Sequence, residues 1–506
     1  MDAIDLVLLV TFIFLIIIYY ASYRRKYWAR KKIISLKPGN IIMGSTGDIF
    51  LKKLSLYNYH AKMYEQLAPH KYGGYYNFFT PVLVVRDPDI IKTIFTKDFN
   101  YFMDRGQPLD EKNPLSQNLF NLKGEKWRIL RAKLTPTFTS GKIKIMFNLM
   151  KECTTELIEM IDTSVEKEEI EVKEMMARYT TDVISSCVFG LQSNSQKDPD
   201  SIFRQMGRKA FNQTTRRSVV AIIAMVIPKF REIFKISFFE KDVQDFFTSL
   251  VSKTIKYRED NGVERNDFLD LLIALKKQEV LTHNSASGEI CHVEFTDNLL
   301  TAQCFVFFSA GFETSSGTLS FALYELAKHP EMQEKLFDEI SETLEQNNGS
   351  FNYECLQQMP YLDQVVCETL RMYPLLPSLV RICNENYQLD EHTVIDKNTR
   401  VVIPVKGLHY DPSYYENPTE FNPENFSKEA RAKRHHFTYL PFGEGPRICI
   451  GLRFGLMQVK LGLATILRNY SVSLSPKMSS SLEYKLLAFV PTPKDGIWLK
   501  FKKRSA

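Results

Sequence analysis

The stretch FGEGPRICIG at residues 442–451 surrounds one cysteine with groups that stabilise a thiolate. Its first two glycines let the backbone aim several N–H groups at one point, and Arg447 adds a positive charge two residues before Cys449. The apolar spacing from Leu452 to Asn469 predicts a helix that begins just after the sulfur. The deprotonated sulfur is the form that binds metals, so Cys449 is a candidate metal ligand. A buried structural cysteine in a glycine-rich turn is the alternative.

A second motif, AGFETS at residues 310–315, lies in an apolar stretch, Thr296–Leu326, that predicts one long helix. Glycine within a helix costs on the order of 1 kcal/mol relative to alanine, so we expect something flat to approach Gly311. The Thr314 hydroxyl can form a hydrogen bond with the preceding turn, which distorts the helix and opens a gap for water. The Glu313 carboxylate beside that gap can relay protons. An ordinary buried helix with one polar notch is the alternative.

Two further patterns place polar side chains on single helix faces. Glu368 and Arg371 are three residues apart in a helix predicted for Tyr361–Met372, so they can form an ion pair. Trp127 and Arg131 are four residues apart in GEKWRILRAKL and share a face of another predicted helix. One cation of that helix is therefore directed inward, while its other basic residues are directed outward.

These motifs occur in an order that resembles cytochrome P450 enzymes, and the resemblance covers essentially the whole chain. The pattern Phe442-x-x-Gly445-x-Arg447-x-Cys449-x-Gly451 resembles the haem-binding loop of that family. The resemblance implies that Cys449 is the axial thiolate ligand of haem b and that Phe442 shields the sulfur. It further implies that Arg447 pairs with a haem propionate and that Gly451 admits the face of the haem.

The same resemblance gives roles to the other motifs. It assigns Thr314 and Glu313 to proton delivery on the distal side of the haem, and Trp127, Arg131 and Arg381 to the haem propionates. It implies a fold that is mainly α-helical with a smaller β-rich portion near the N-terminal side. The outward basic residues would form a proximal patch that attracts an acidic electron-donor protein, namely Lys126, Arg128, Lys133 and Arg453.

The scaffold of the cysteine loop departs from the family pattern at one position. In the family, the pair formed by Glu368 and Arg371 is buried and ties its helix to a loop before the cysteine. The usual partner arginine of that loop is replaced here by Asn425. An amide can hydrogen-bond both partners, but it cannot compensate the charge of a buried carboxylate.

The positions that face the substrate in the family carry almost only apolar or aromatic residues in this chain. We therefore expect a lipophilic, largely neutral substrate. The residues are Phe102, Phe120, Phe305, Phe308, Leu379, Val380 and Phe489.

Two stretches, Tyr101–Gly106 (YFMDRG) and Leu134–Lys142 (LTPTFTSGK), most resemble insect microsomal enzymes that oxidise foreign compounds such as plant toxins or insecticides. The resemblance implies a monooxygenase that receives electrons from NADPH-cytochrome P450 reductase, with cytochrome b5 as an additional donor. A hydroxylase of an endogenous steroid, fatty acid or hormone precursor is the alternative. A haem protein that binds a ligand without turnover is a more distant alternative. Such a carrier needs no proton relay, so it would not account for Thr314 and Glu313.

The composition agrees with a large intracellular protein. The 506 residues, of which 44% are hydrophobic, suffice for a large core. The 65 basic and 59 acidic residues leave a net charge of +6, which gives no signal for nucleic-acid binding. The eight cysteines form no C-x-x-C pair, so a reducing compartment is expected.

The N-terminal residues predict a membrane anchor. Leu6–Ser22 is uncharged and approaches the roughly 20 residues that span a bilayer. Basic residues follow it closely, so the positive-inside rule predicts a catalytic domain on the cytosolic side of the endoplasmic reticulum. We expect an anchor at residues 1–22, a basic stop-transfer segment and hinge at 23–40, and a catalytic domain at 41–506. A cleaved signal peptide is the alternative, although the chain lacks its preceding basic residue and small-residue cleavage site.

Other segments are expected to contact the membrane. Tyr19, Tyr20, Tyr27 and Trp28 suit an aromatic belt at the bilayer interface. The apolar run Val219–Ile227 resembles a part of these enzymes that dips into the lipid, with a buried core helix as the alternative.

Overall fold

The structure is a computed structural model that describes residues 3–37, 40, 43–51, 53–107, 109, 113–165, 169–211, 239–265, 267–284, 290–478 and 481–504. The α-helices of these residues are α1 (Ala3–Arg24), α2 (Tyr27–Arg30), α3 (Gly47–Phe50), α4 (Leu56–Gln66), α5 (Pro88–Phe95), α6 (Gly124–Leu134), α7 (Ser140–Val165), α8 (Val172–Phe189), α9 (Ile202–Phe211), α10 (Lys241–Asn261), α11 (Phe268–Lys276), α12 (Asp297–Lys328), α13 (Pro330–Gln346), α14 (Pro360–Met372), α15 (Val405–His409), α16 (Lys428–Lys433) and α17 (Leu452–Asn469).

The strands are fewer and shorter. They are β1 (Tyr72–Asn77), β2 (Thr80–Val85), β3 (Ile170–Glu171), β4 (Val280–Asn284), β5 (Ile290–Glu294), β6 (Leu379–Ile382), β7 (Tyr387–Asp390), β8 (Thr393–Ile395), β9 (Arg400–Ile403), β10 (Tyr470–Leu474) and β11 (Trp498–Lys503). The described part of the chain is therefore mainly α-helical, as the sequence predicts.

The largest sheet is built from distant parts of the sequence. Its strand order is β1-β2-β9-β6, in which β2 and β9 are parallel and the other neighbours are antiparallel. The parallel register pairs Val84 with Val402. The β-rich portion expected near the N-terminal side thus takes half of its strands from beyond residue 378. The remaining strands form a three-stranded sheet, β10-β11-β3, and two hairpins.

Helix α12 is the central element of the helical core. The Thr296 hydroxyl accepts a hydrogen bond from the Leu299 N–H and caps its N-terminus. Most of its side chains are buried, which agrees with the apolar sequence from which the helix was predicted. It packs extensively against α8. At Gly311, a Cβ atom would lie 2.5 Å from the Cδ1 atom of Ile184 in α8.

Helix-to-helix packing is one reason for a glycine at position 311. The side chain of Ile184 approaches closely enough to exclude a larger residue there. The approach of a flat group to Gly311 stays a prediction. The apolar pattern of the sequence does not reveal which neighbouring helix crosses α12 at this point.

The segment after α1 is docked on the large sheet. Trp28 is completely buried, and its indole N–H donates to the carbonyl of Tyr75 at 3.2 Å. A Cβ atom on Gly74 would lie 2.4 Å from the Trp28 ring, so the strand is shaped to receive the indole. Trp28 is thus a core residue, and its expected place in an interfacial belt is wrong. Tyr19 and Tyr20, in contrast, are exposed.

Helix α1 extends over 22 residues. In the described part of the chain, no helix reaches the combination of length and apolar character that is needed to cross a membrane. The expected hinge at Pro38–Gly39 and the membrane-dipping run Val219–Ile227 lie outside the described residues.

Candidate active site

The loop before α17 presents Cys449 with an accessible side chain. Gly443 and Gly445 have φ angles of 71° and 73°, as expected for turn glycines. A Cβ atom on Gly445 would lie 1.9 Å from the carbonyl oxygen of Phe95, so only glycine fits there. The Cys449 N–H donates to the Phe442 carbonyl at 2.9 Å and closes the loop. The side chain of Cys449 is accessible although protein surrounds it.

The electrostatic environment of Cys449 contains opposing influences. Burial raises the pKa of the Cys449 thiol, and the Gly451 N–H together with the charges of Arg105 and Arg131 oppose this shift. Gly451 is the residue before α17, so the sulfur lies at a helix N-terminus as predicted. Arg105 was not among the predicted site residues. It lies within YFMDRG, and no spacing rule connects that stretch to Cys449.

Arg447 is buried with part of its hydrogen-bonding capacity unused. Its Nη2 donates to the Leu122 carbonyl at 2.7 Å and lies 3.6 Å from the Asp104 carboxylate. The guanidinium also lies over the ring of Trp127, 4.1 Å from the centroid. Within the described residues, its Nε and Nη1 are buried without a partner. Burial lowers the pKa of Arg447 to about 9, and the charges of Arg105 and Arg131 add to this effect.

Arg381 and Arg105 lie near Arg447, and together with Arg131 they form a group of four arginines. Arg381 lies over the Phe95 ring at 4.5 Å, and its Nε is buried without a partner among the described residues. Burial, together with the charges of Arg105 and Arg447, lowers the pKa of Arg381 well below its usual value. Burial lowers the pKa of Arg105 to about 10, and Arg131 adds to this shift while Cys449 opposes it.

These observations test whether the predicted cofactor fits. Four guanidinium groups repel one another beside one cysteine, and Asp104 is the carboxylate found next to Arg447. Buried guanidinium donors without protein acceptors suit an anionic partner. A flat group that carries two carboxylates and a metal ion supplies anionic partners for the arginines and a metal for Cys449. The donor set therefore fits haem b.

The AGFETS segment holds its two polar side chains differently. The Thr314 hydroxyl donates to the carbonyl of Ala310 at 2.7 Å, which is the predicted bond to the preceding turn. The Glu313 carboxylate accepts a hydrogen bond from the Lys173 ammonium group of α8 at 2.9 Å. Lys173 also donates to the Ser316 hydroxyl at 2.8 Å. The acid is thus ion-paired to a neighbouring helix, and no sequence motif pointed to Lys173.

The ion pair on α14 is buried in full. Arg371 donates through Nε to Glu368 at 2.7 Å, and neither side chain is exposed. The Nδ2 of Asn425 donates to Glu368 at 3.2 Å. The remaining Arg371 donors bind the carbonyls of His409, Pro418 and Glu420 rather than the Asn425 amide. Asn425 therefore contacts one partner of the pair, whereas the sequence allowed both.

The predicted pocket residues lie in several places. Phe308 packs in an aromatic group with Phe189, Phe203, Phe247 and Phe312, and Phe305 joins it through Phe247.

The others belong to different surroundings. Phe102 is buried against Tyr387 in the packing around the sheet, while the Phe120 ring lies 4.2 Å from the Arg105 guanidinium. Leu379 is buried near Gly443, Val380 is half-buried, and Phe489 is exposed. Phe442 packs against the helical core. The structure thus groups the α12 phenylalanines and separates Phe102 from them.

Comparison with known proteins gives a consistent result. A sequence profile described as Cytochrome P450 matches residues 47–500. The chain is 41% identical to cytochrome P450 6k1 of Blattella germanica, over 99% of this chain and 97% of that relative. It is 40% identical to probable cytochrome P450 6a14 of Drosophila melanogaster, over 94% and 95%. Cytochrome P450 6a2 of the same fly is 39% identical, over 94% and 95%.

Proposed function

Because the chain belongs to the cytochrome P450 family and is therefore a haem b monooxygenase, we propose that it oxidises lipophilic foreign compounds at the endoplasmic reticulum membrane. The observation that carries the substrate class is the aromatic group along α12. Phe305 and Phe308 lie in a cluster of phenylalanine rings and come from the same helix as Thr314. Apolar surroundings on the helix that carries the proposed proton-delivering threonine favour neutral, lipophilic substrates.

Each part of the site has a proposed task. Haem b, when bound, supplies the activation of O2 from which one oxygen atom is inserted into the substrate. The Cys449 thiolate would hold the iron, and the neighbouring arginines would hold the carboxylates of the cofactor. Those carboxylates would supply acceptors for the unpaired Nε atoms of Arg381 and Arg447.

Proton delivery is assigned to the polar residues of α12. The Thr314 hydroxyl donates to Ala310 in the structure, so its oxygen keeps lone pairs that can accept a proton-carrying water. Glu313 would move protons between solvent and that oxygen after parting from Lys173, whose side chain is largely but not fully buried. Transfer of protons in the correct number decides whether reduced oxygen yields product or peroxide.

The family implies a reductase partner and a small-molecule substrate. We propose that the reductase is the NADPH-dependent one and that it docks on the basic proximal face. Lys126 and Arg453 are exposed there, on α6 and α17, near the cysteine side of the fold. Charge complementarity of this kind raises association rates more than final affinity. Cytochrome b5 would use the same face.

Membrane anchoring by residues 1–22 is part of the proposal. It is supported by the sequence of α1 and by its exposed apolar side chains, since Ile4, Leu8 and Phe12 are each more than 60% exposed. An apolar helix exposed in this way is more stable in lipid than in water. Docking of Trp28 then places the catalytic domain close to the end of the anchor.

The experiment is performed on the full chain in membranes with reductase and NADPH. The reduced, carbon-monoxide-bound spectrum should show the red-shifted Soret band of a thiolate ligand, and Cys449→Ala should abolish that band. Neutral plant toxins and insecticides are then compared with steroids and fatty acids under ¹⁸O2. Label in foreign compounds supports the proposal, whereas label in the endogenous set alone would replace it with the biosynthetic alternative.

The proton-delivery assignment needs its own variant. Thr314→Ala should keep the thiolate spectrum and the folded structure but divert NADPH electrons from product to peroxide. Equal ratios of product to NADPH in Thr314→Ala and the wild type would reject the role of Thr314. Ser320→Ala, which removes a hydroxyl that bonds the Ser316 carbonyl further along α12, serves as the control.

A further inference from the structure

Consecutive carbonyls in the AGFETS region of α12 accept side-chain hydrogen bonds in addition to those of the helix. In a regular α-helix each carbonyl accepts from the N–H four residues later. The additional donors to carbonyls 310–314 are, in order, Thr314 Oγ1 at 2.7 Å, Gln458 Nε2 at 3.0 Å, Thr180 Oγ1 at 2.9 Å, Ser316 Oγ at 3.1 Å together with Lys173 Nζ at 3.5 Å, and Thr318 Oγ1 at 3.1 Å.

Three of these donors come from other helices, and Gln458 and Thr180 make the two shorter of the three bonds. Gln458 reaches the Gly311 carbonyl from α17, the helix that follows Cys449. Thr180 reaches the Phe312 carbonyl from α8, and its Oγ1 lies 2.9 Å from that oxygen and 3.0 Å from the Met176 carbonyl of its own helix. Both side chains are completely buried. Their position therefore depends on the packing of three helices around one segment.

A carbonyl that is shared between two donors binds each of them less strongly. Side-chain bonds of this kind weaken and bend helices at the turn where they occur. The N–H groups that should be affected are those of Ser315 and Ser316, because they pair with the carbonyls of Gly311 and Phe312. The weakened turn includes Thr314 and Glu313, the residues assigned to proton delivery.

The orientation of Gln458 supports a specific role. Its Oε1 is buried without a partner among the described residues, while its Nε2 is directed at Gly311. A glutamine kept in an apolar core at this cost is retained for the bond that it does make. A leucine or methionine would fill the same volume without an unpaired acceptor.

We propose that Gln458 and Thr180 are positioning residues that keep the helical hydrogen bonds of α12 weak around residues 311–312. This arrangement presents the Thr314 hydroxyl and the Glu313 carboxylate for proton delivery. The inference deepens the proposed function and rests on it for its catalytic consequence. Its structural part does not depend on catalysis.

The first measurement is amide hydrogen exchange, resolved to single residues, on the full-length haem-loaded protein. Gln458→Met and Thr180→Val each remove one additional donor with little change in volume. Exchange at Ser315 and Ser316 should become at least threefold slower in the double variant than in the wild type. Unchanged or faster exchange at these two amides would overturn the inference.

Matched controls separate this effect from general loss of stability. Thr181→Val removes a buried hydroxyl from the same helix, but Thr181 bonds the Ala177 carbonyl within α8. Gln333→Met removes a buried amide that donates to the Leu326 carbonyl near the far end of α12. Neither control should slow exchange at Ser315 or Ser316. Slowing by either control would overturn the inference as well.

The second measurement is the share of NADPH electrons that appears as peroxide. This share should at least double in the Gln458→Met and Thr180→Val double variant, and Thr180→Ser should behave as the wild type because it keeps the hydroxyl. An unchanged share would overturn the catalytic part. A wild type that makes no oxidised product would reject the proposed function, and exchange at Ser315 and Ser316 would still decide the role of the two residues.

Discussion

The Nε2 atom of His409 accepts a hydrogen bond from the backbone N–H of Leu440 at 2.9 Å. The other ring nitrogen, Nδ1, lies 3.0 Å from the Arg371 carbonyl and donates to it. One neutral imidazole thus joins the helix of the buried ion pair to the loop that carries Cys449. No sequence motif assigned this role to His409, which lies at the end of α15.

The neutral state of His409 predicts sensitivity to acid. Burial lowers the pKa of His409 to about 3, and the charges of Arg371 and Arg434 add to the shift although the bond to the Arg371 carbonyl opposes it. Between about pH 6.5 and pH 3 the unfolded chain binds the proton and the folded chain does not. The free energy of unfolding should therefore fall with falling pH in this window, by up to about 1.4 kcal/mol per pH unit from this group.

Urea unfolding between pH 7 and pH 4 measures this contribution. His409→Gln keeps an acceptor for Leu440 but does not titrate, so its stability should decline less steeply with falling pH than that of the wild type. His392→Gln, at an exposed position, is the control and should retain the wild-type slope. Parallel pH profiles for His409→Gln and the wild type would contradict the assignment.

The arginine group predicts that one substitution has opposite effects on the stability of the haem-free protein and on the binding of haem. Arg447→Met should stabilise the haem-free chain, because a buried charge with unpaired donors is removed. The same change should weaken haem binding, because one partner of the carboxylates is lost. Thermal unfolding of both states and haem titration measure the two effects. Arg453→Met, exposed on α17, should change neither.

The burial of Trp28 predicts where the chain can be shortened. Removal of residues 1–22 should leave the unfolding temperature of the catalytic domain nearly unchanged, whereas removal of residues 1–36 should lower it sharply. Trp28→Ala should cost about 3–5 kcal/mol, the range for buried aromatic side chains. Tyr19→Ala, at an exposed position, is the matched control. Equal stability of the two truncated proteins would show that the docked segment is dispensable.

The departure at Asn425 gives a further prediction. Asn425→Ala removes its hydrogen bond to Glu368 and should cost about 0.5–1.5 kcal/mol. Asn425→Arg should be neutral or stabilising, because Glu368 accepts a second guanidinium while Arg371 keeps its carbonyl partners. Unfolding by urea and the haem content of purified protein are the measurements. A marked loss of haem in Asn425→Arg would show that the amide has a role that arginine does not fulfil.

Local patterns predicted the helices that carry the site. The helix Leu452–Asn469 has the predicted bounds, and Glu368 with Arg371 forms the predicted ion pair, because both depend on residues close in sequence. Contacts between distant residues were not predictable in this way. Arg105 near Cys449 and Lys173 on Glu313 depend on how helices and loops pack, and periodicity does not specify that packing.

One expectation failed because one residue type fits two environments. Trp28 follows an apolar helix, which is typical of a bilayer interface, yet the glycine at position 74 gives it a place in the core. Gly311 shows a similar ambiguity, because a flat ligand and a neighbouring helix both require the absence of a side chain, and the structure shows the contact with the helix. The sequence alone does not distinguish these causes.

The parallel pairing of Val84 with Val402 also bears on how the chain is made. At a synthesis rate of about 5–20 residues per second, roughly a quarter of a minute to a minute separates the appearance of these two strands from the ribosome. During that interval the hairpin of β1 and β2 has an unpaired edge, which is prone to bind other chains. We therefore expect this edge to be a site of association with other chains until β9 emerges and completes the sheet.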